Sequence, residues 1–158
     1  MYYSRFDTDL CEIILAGDEE GLKQLHLNTG EGKRVFEIRS EWERNEDLFR
    51  DIKVQIQEYL HSGRTDFDIK VAPEGTDFQK KVWNQLRQIP YGETRTYGEI
   101  ARAIGREKAA RAVGAANSRN PLPLIIPCHR VIGAGGGLTG FAHGIAIKKK
   151  LIQMEKSL

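Results

Sequence analysis

At 158 residues, with 40% hydrophobic and 29% charged side chains, the chain holds one ordinary domain or two small ones and is apolar enough to pack a core. No apolar run approaches the roughly 18 residues of a membrane helix, the opening "MYYSRFDTDL" has no apolar signal core, and two cysteines are too few for a disulfide framework, so a cytoplasmic location is expected, nuclear in a eukaryote. The net charge of +2 conceals an asymmetry: residues 1–75 hold 10 Lys/Arg against 17 Asp/Glu, net −7, and residues 76–158 hold 14 against 5, net +9, which suits either a polyanionic partner for the second half or a solvated basic surface.

The chain opens with strands. "CEIILAG", "DEEG" and "LKQLHL" read as a β-hairpin turning around Asp18 to Gly21. From residue 42 to 60, Leu48, Ile52, Ile56 and Tyr59 recur at spacings of three and four, which predicts an amphipathic helix stopped near Gly63. "DFDIKV" predicts a further strand. The turn from Pro73 to Gly75 coincides with the switch in charge and marks the expected boundary between an N-terminal unit, residues 1–75, and a second unit, residues 76–158.

Phe78, Val82, Leu86 and Ile89 share one face of the next helix, which Pro90, Tyr91 and Gly92 end. In "TYGEIARAIG", Thr96 and Glu99 form a T-x-x-E capping box and Gly105 suits a C-terminal cap. "EKAARAVGAANS" predicts another helix, broken where Pro121 biases Asn120 away from helical geometry. Helix, glycine turn, helix is the outline of a helix-turn-helix. Ala109, Ala110, Ala112, Gly114, Ala115 and Ala116 line its second helix around Arg111. Such small side chains suit either helix packing or close approach to another surface from which one long cation projects.

In "NPLPLIIPCHRVIG" three prolines are expected to hold the chain extended, with Cys128 at the end of a stiff, buried segment. A cysteine there is either a small buried hydrophobe or a nucleophile, since His129 and Arg130 beside it would favour thiolate. Side chains alternate in an extended segment, so His129 would reach Cys128 only through a turn or a water. A final helix with Ile147, Leu151 and Ile152 on its apolar face carries Glu155, either a solvated terminal charge or the carboxylate that orients His129.

The order "TYGEIA", "KAARAVG", "NP.P..IPCHRVI", a Gly-rich loop and a late Glu closely resembles the methylated-DNA–protein-cysteine methyltransferases, or 6-O-alkylguanine-DNA alkyltransferases. The resemblance is strong over residues 76–155 and covers the first half only in outline. It implies an α/β N-terminal domain, a small sheet plus helix of ribonuclease H-like form, followed by a mostly helical, winged-helix-like domain with a helix-turn-helix. It implies a single-turnover DNA repair enzyme that flips 6-O-alkylguanine, mainly methylguanine, out of duplex DNA and transfers the alkyl group irreversibly to its own cysteine. Cys128 would be the acceptor, His129 the base acting through water, Glu155 its orienting carboxylate, and Asn120 the brace of the active-site turn. Tyr97 would assist departure of the guanine and crowd the target phosphate.

Arg111 would fill the space left by the flipped base, with Tyr97, Ala110, Gly114 and Arg130 as further DNA contacts in the minor groove. Val131, Phe141, Ala142 and His143, with Cys128, would line the alkyl pocket. The family usually reads Gly-Tyr-Ala-Gly-Gly where this chain reads Gly140, Phe141, Ala142, His143, Gly144. An imidazole at 143 is expected either to narrow the pocket against bulky adducts or to swing into solvent on a glycine-rich loop. No cofactor and no metal are expected, because Cys11, His26 and His61 lack the spacing of a zinc site. The expected partner is double-stranded DNA containing 6-O-alkylguanine, met by a monomer away from any membrane. Two other classes stay open: a DNA regulator or lesion-flagging alkyltransferase-like module, against which Cys128 argues, and a turnover thiol hydrolase, which has no need of the Arg111 helix.

Overall fold

The computed structural model describes residues 1–31, 35–138 and 141–157; Gly140, one of the loop positions noted above, lies outside them. Strands β1 (Tyr2–Asp7), β2 (Glu12–Asp18) and β3 (Gly21–Asn28) form an antiparallel meander. A two-residue strand β4 (Glu43–Arg44) adds in parallel to β1, which makes the sheet order β3-β2-β1-β4. The hairpin lies where the alternation of apolar runs and turns places it. Ile13, Leu15, Leu22, Leu25 and Leu27 are buried in the core.

Helix α1 spans Arg50–His61, eight residues shorter at its start than the periodicity from residue 42 suggests. Residues 43 and 44 pair with β1, and the Asn45 side chain accepts from the Leu48 amide at 3.0 Å, so the chain turns before it can coil. Leu48 is accordingly exposed, while Ile56 and Tyr59 are buried. The strand expected at "DFDIKV" does not form. The segment makes a single bridge, Val71 to Leu22, flanked by Leu22 N–H to Lys70 O and Ala72 N–H to Leu22 O. Gln55 captures its middle through Asp68 N–H and Asp68 O, diverting the ladder into side-chain bonds. Gly21, at φ +138, permits this crossing, because a Cβ there would sit 2.8 Å from Lys70 O.

Helix α2 (Asp77–Leu86) starts in a full capping box from Thr76 and Gln79, and Ile89 continues its buried stripe past the helix end. Strand β5 (Arg95–Thr96) leads into α3 (Tyr97–Ala103), where the Thr96–Glu99 capping box forms as the sequence implies and Gly105 turns the chain at φ +77. Helix α4 covers Ala110–Ser118; the residues from Glu107 form a turn first, closed by Ala109 N–H to Arg106 O. Trp83 of α2 donates its indole N–H to Ala116 O at 2.9 Å, which pins α4 to the core. Val113, Ala116 and Asn117 face inward, leaving Arg111, Ala112 and Ala115 exposed.

The proline-rich segment is wound rather than extended. Leu124 takes φ 75, Ile126 N–H bonds back to Leu122 O, and Cys128–Arg130 form one 3₁₀ turn. A left-handed leucine costs about 1–2 kcal/mol, offset here by the burial of residues 122–130. Strand β6 (Val131–Ile132) then pairs in parallel with β5, and α5 (Ile145–Lys156) closes the chain. One apolar core runs through both halves. Strand β3 is their seam: Leu25 N–H donates to Pro121 O at 2.8 Å, and Thr29 Oγ1 to His143 O at 3.0 Å.

Candidate active site

The 3₁₀ turn places Cys128, 4% exposed, and His129, fully buried, on consecutive positions of a tight curve. Two asparagines hold the curve from α4 and its C-terminal end. Asn120 Nδ2 donates to Ile126 O at 2.7 Å while its Oδ1 accepts from Leu122 N–H at 2.9 Å, and Asn117 Nδ2 donates to Cys128 O at 3.3 Å. Asn120 therefore braces the turn from both sides, and Asn117, which sequence reasoning passed over, grips the cysteine's own carbonyl.

Glu155 is 4% exposed and accepts from every side. His129 Nε2 lies 2.7 Å from Oε2, Arg130 Nε 2.8 Å from Oε1 and Nη2 3.0 Å from Oε2, the Tyr59 hydroxyl donates to Oε2, and Gly92 N–H reaches Oε1 at 3.2 Å. Burial opposes its ionisation, but the hydrogen bonds from His129 and Arg130 more than offset that, and the carboxyl stays well below the usual range. Burial pushes the His129 imidazole down, against the raising effect of Glu155, which favours a neutral ring at rest. With Nε2–H committed to the carboxylate, Nδ1 carries the lone pair, and it has no partner among the described residues. That nitrogen is free to accept a proton. The solvated-charge reading of Glu155 is thereby set aside.

Arg130 departs from its expected role. It is 6% exposed, with its guanidinium spent on Glu155 and on Ile89 O at 2.8 Å, and its plane over Tyr91 at 5.6 Å. A side chain so enclosed is a core ion pair and not a DNA contact. Arg111, by contrast, is exposed on α4, with Ala110 and Gly114 half-buried beside it; a Cβ on Gly114 would lie 3.8 Å from the Tyr97 ring, so α4 closes on the start of α3 at that residue. Tyr97 is half-buried at the first position of α3.

Lys148 is a site residue that sequence reasoning missed. It is fully buried on α5, its ammonium 6.0 Å from the Tyr97 ring centroid. Burial pushes its pKa down to about 8, while Cys128 acts in the opposite direction as a nearby anion. Lys148 and Glu155 stand seven residues apart, two turns along one stripe of α5 that also holds Leu151. That spacing of a cation and an acid on an apolar face was the available signal.

Val131 is buried, Phe141 is 8% exposed and Ala142 is half-buried. His143 is 3% exposed, so it does not swing into solvent. Its Nδ1 lies 3.3 Å from Leu27 O, and its ring meets His26 at 5.4 Å and the edge of Phe141 at 5.6 Å. His143 is thus docked on β3. No helix of the described residues is long and apolar enough to cross a membrane.

Family models for the 6-O-methylguanine DNA methyltransferases match both halves, the ribonuclease-like domain over residues 1–73 and the DNA binding domain over residues 77–157. The chain is 55% identical to a Methanosarcina acetivorans protein named methylated-DNA–protein-cysteine methyltransferase, over 99% of each chain. It is 42% identical to the constitutive methylated-DNA–protein-cysteine methyltransferase of Bacillus subtilis, covering 98% of this chain and 95% of that one. Among solved structures it resembles Mycobacterium tuberculosis OGT in complex with DNA, with a TM-score of 0.91 and 43% identity over 99% of this chain and 94% of the other.

Proposed function

The chain belongs to the 6-O-methylguanine DNA methyltransferase family, a family of DNA repair transferases, and we propose from that premise that Cys128 takes the alkyl group of 6-O-alkylguanine in a single irreversible turnover. The observation that carries the reading is the buried run Cys128, His129, Glu155 on one 3₁₀ turn and one helix, with His129 Nδ1 left without a partner among the described residues.

The chemistry follows from these groups. His129 Nδ1 takes the thiol proton through a water, Glu155 and the bonded Nε2–H stabilise the imidazolium that results, and the buried Lys148 ammonium favours the thiolate. The thiolate forms a bond to the alkyl carbon as the carbon–oxygen bond breaks and its electron pair leaves with guanine. The Tyr97 hydroxyl supplies a proton to the departing base and regains one from solvent, to which the His129 imidazolium returns the proton it took from the thiol. Summed over the step, the thiol proton replaces the alkyl group on guanine, and the thioether that remains has no thiol left to react.

The substrate is double-stranded DNA approached from the minor groove by a monomer in the cytoplasm. Extracting the base costs a few kcal/mol, part of which Arg111 offsets by entering the stack from an exposed helix whose alanines and glycine permit close approach. Residues 76–158 carry the acceptor and the DNA contacts, while residues 1–75 support them. Phe141, Ala142 and Val131 wall the alkyl pocket, with methyl the favoured adduct.

Intact mass after incubation with methylated duplex tests the reading. A gain of one methyl group that persists supports a suicide transferase, whereas an unchanged mass would indicate a lesion binder and a transient gain a turnover hydrolase.

A further inference from the structure

Helix α1 belongs to the half of the chain that carries none of the acceptor chemistry, yet one of its side chains ends inside the acid–base pair. Tyr59 is 1% exposed, its ring packed on Phe67 at 5.3 Å and on the edge of Tyr91 at 6.0 Å. Its hydroxyl donates to Glu155 Oε2 and lies 3.5 Å from His129 Nε2. Burial and the adjoining carboxylate raise its pKa, so the phenol keeps its proton and acts as a donor.

Three donors thus converge on one carboxylate oxygen: His129 Nε2–H at 2.7 Å, Arg130 Nη2 at 3.0 Å and the Tyr59 hydroxyl. Electron density that Oε2 gives to the phenol is density it withholds from the imidazole. We propose that Tyr59 is a positioning residue of alkyl transfer, acting through Glu155 to orient the carboxylate and to moderate how strongly it holds a proton on His129. The N-terminal half thereby enters the reaction instead of only supporting it. The inference rests on the proposed role of His129 as base.

The other groups facing this pair come from different elements. Arg130 bonds Glu155 from the 3₁₀ turn, Gly92 N–H reaches it from the loop after α2, Tyr91 lies nearby on that loop, and Lys148 of α5 with Arg130 opposes protonation of His129. All of them stay in place in Tyr59→Phe, which removes one oxygen and keeps the ring packed.

The test is the titration of His129 followed by the ¹⁵N resonances of its imidazole in the native chain and in Tyr59→Phe. Without the competing phenol, Oε2 binds the imidazolium more tightly, and the midpoint rises by at least about half a pH unit. The acidic limb of the single-turnover transfer rate moves upward with it, and Tyr59→Phe produces no limb shift when added to Glu155→Gln. An unmoved His129 midpoint in a folded Tyr59→Phe overturns the proposal, as does an equal limb shift in the Glu155→Gln background. If the native chain transfers no alkyl group, the functional reading fails, while the His129 titration still decides the role of Tyr59.

Discussion

Replacing Glu155 by glutamine probes the centre of the buried network. The carboxylate accepts five hydrogen bonds on two oxygens, three on Oε2 and two on Oε1. An amide has one acceptor oxygen, so its NH₂ must face either the Oε1 donors, Arg130 Nε and Gly92 N–H, or the Oε2 donors, leaving at least two donors opposed. The buried Arg130 side chain also loses its counter-charge. Removing one partner of a buried ion pair costs about 3–5 kcal/mol, against about 1 kcal/mol or less for an exposed pair. In a chain of this size that lowers the melting temperature by roughly 10 °C or more. The assay is thermal and urea unfolding followed by circular dichroism across pH. Because the folded carboxyl sits below its unfolded pKa of about 4.3, its stabilisation is complete above that value and is lost as pH falls towards the folded one. The difference between native chain and variant should be constant from neutral pH to about 5 and shrink below about 4. A loss under about 1 kcal/mol at neutral pH would refute the network as described.

Lys148→Met should leave stability unchanged or higher, since a desolvated charge is replaced by a chain of similar shape, yet slow transfer roughly tenfold, the effect of about one pKa unit on the thiol. The native chain should also gain stability between about pH 8 and about 10.4, where the unfolded lysine holds a proton that the folded one has lost, and the variant should lack that slope; parallel losses of stability and transfer would make Lys148 merely structural. Arg111→Ala should reduce repair of duplex far more than reaction with free 6-O-methylguanine, which needs no flipping, and equal losses would assign Arg111 to the fold. His143→Gly should cost about 1–3 kcal/mol, as it empties a packed site and adds backbone freedom. It should also raise the benzyl-to-methyl rate ratio, because Phe141 loses the ring that supports it; an unchanged ratio would remove His143 from selectivity.

What was legible in the sequence is what local chemistry decides. The Thr96–Glu99 capping box, the glycine turn and the apolar stripe ahead of Glu155 each lie within a few residues, so α3, α4 and α5 follow from spacing. The three prolines suggested an extended run because each restricts only its own and the preceding residue; Asn120 and Asn117, bonding across 6 and 11 residues, wind it into a turn instead. Arg130 was expected to favour the thiolate and to meet DNA, but the partner that takes its guanidinium is 25 residues away. Tyr59 reads correctly as core, but its hydroxyl finds Glu155 across 96 residues. Packing of β3 against the second half likewise decides where His143 points.

Peptide mapping by tandem mass spectrometry after reaction with methylated duplex locates the acceptor. One methyl group per chain is expected, located on Cys128 and stable over hours, with Cys11 unmodified, its half-buried thiol being pushed up to about 11 by burial. Cys128→Ser should bind the duplex and gain no methyl group. A methyl group on Cys11 or any other residue, or transfer persisting in Cys128→Ser, would overturn Cys128 as the acceptor.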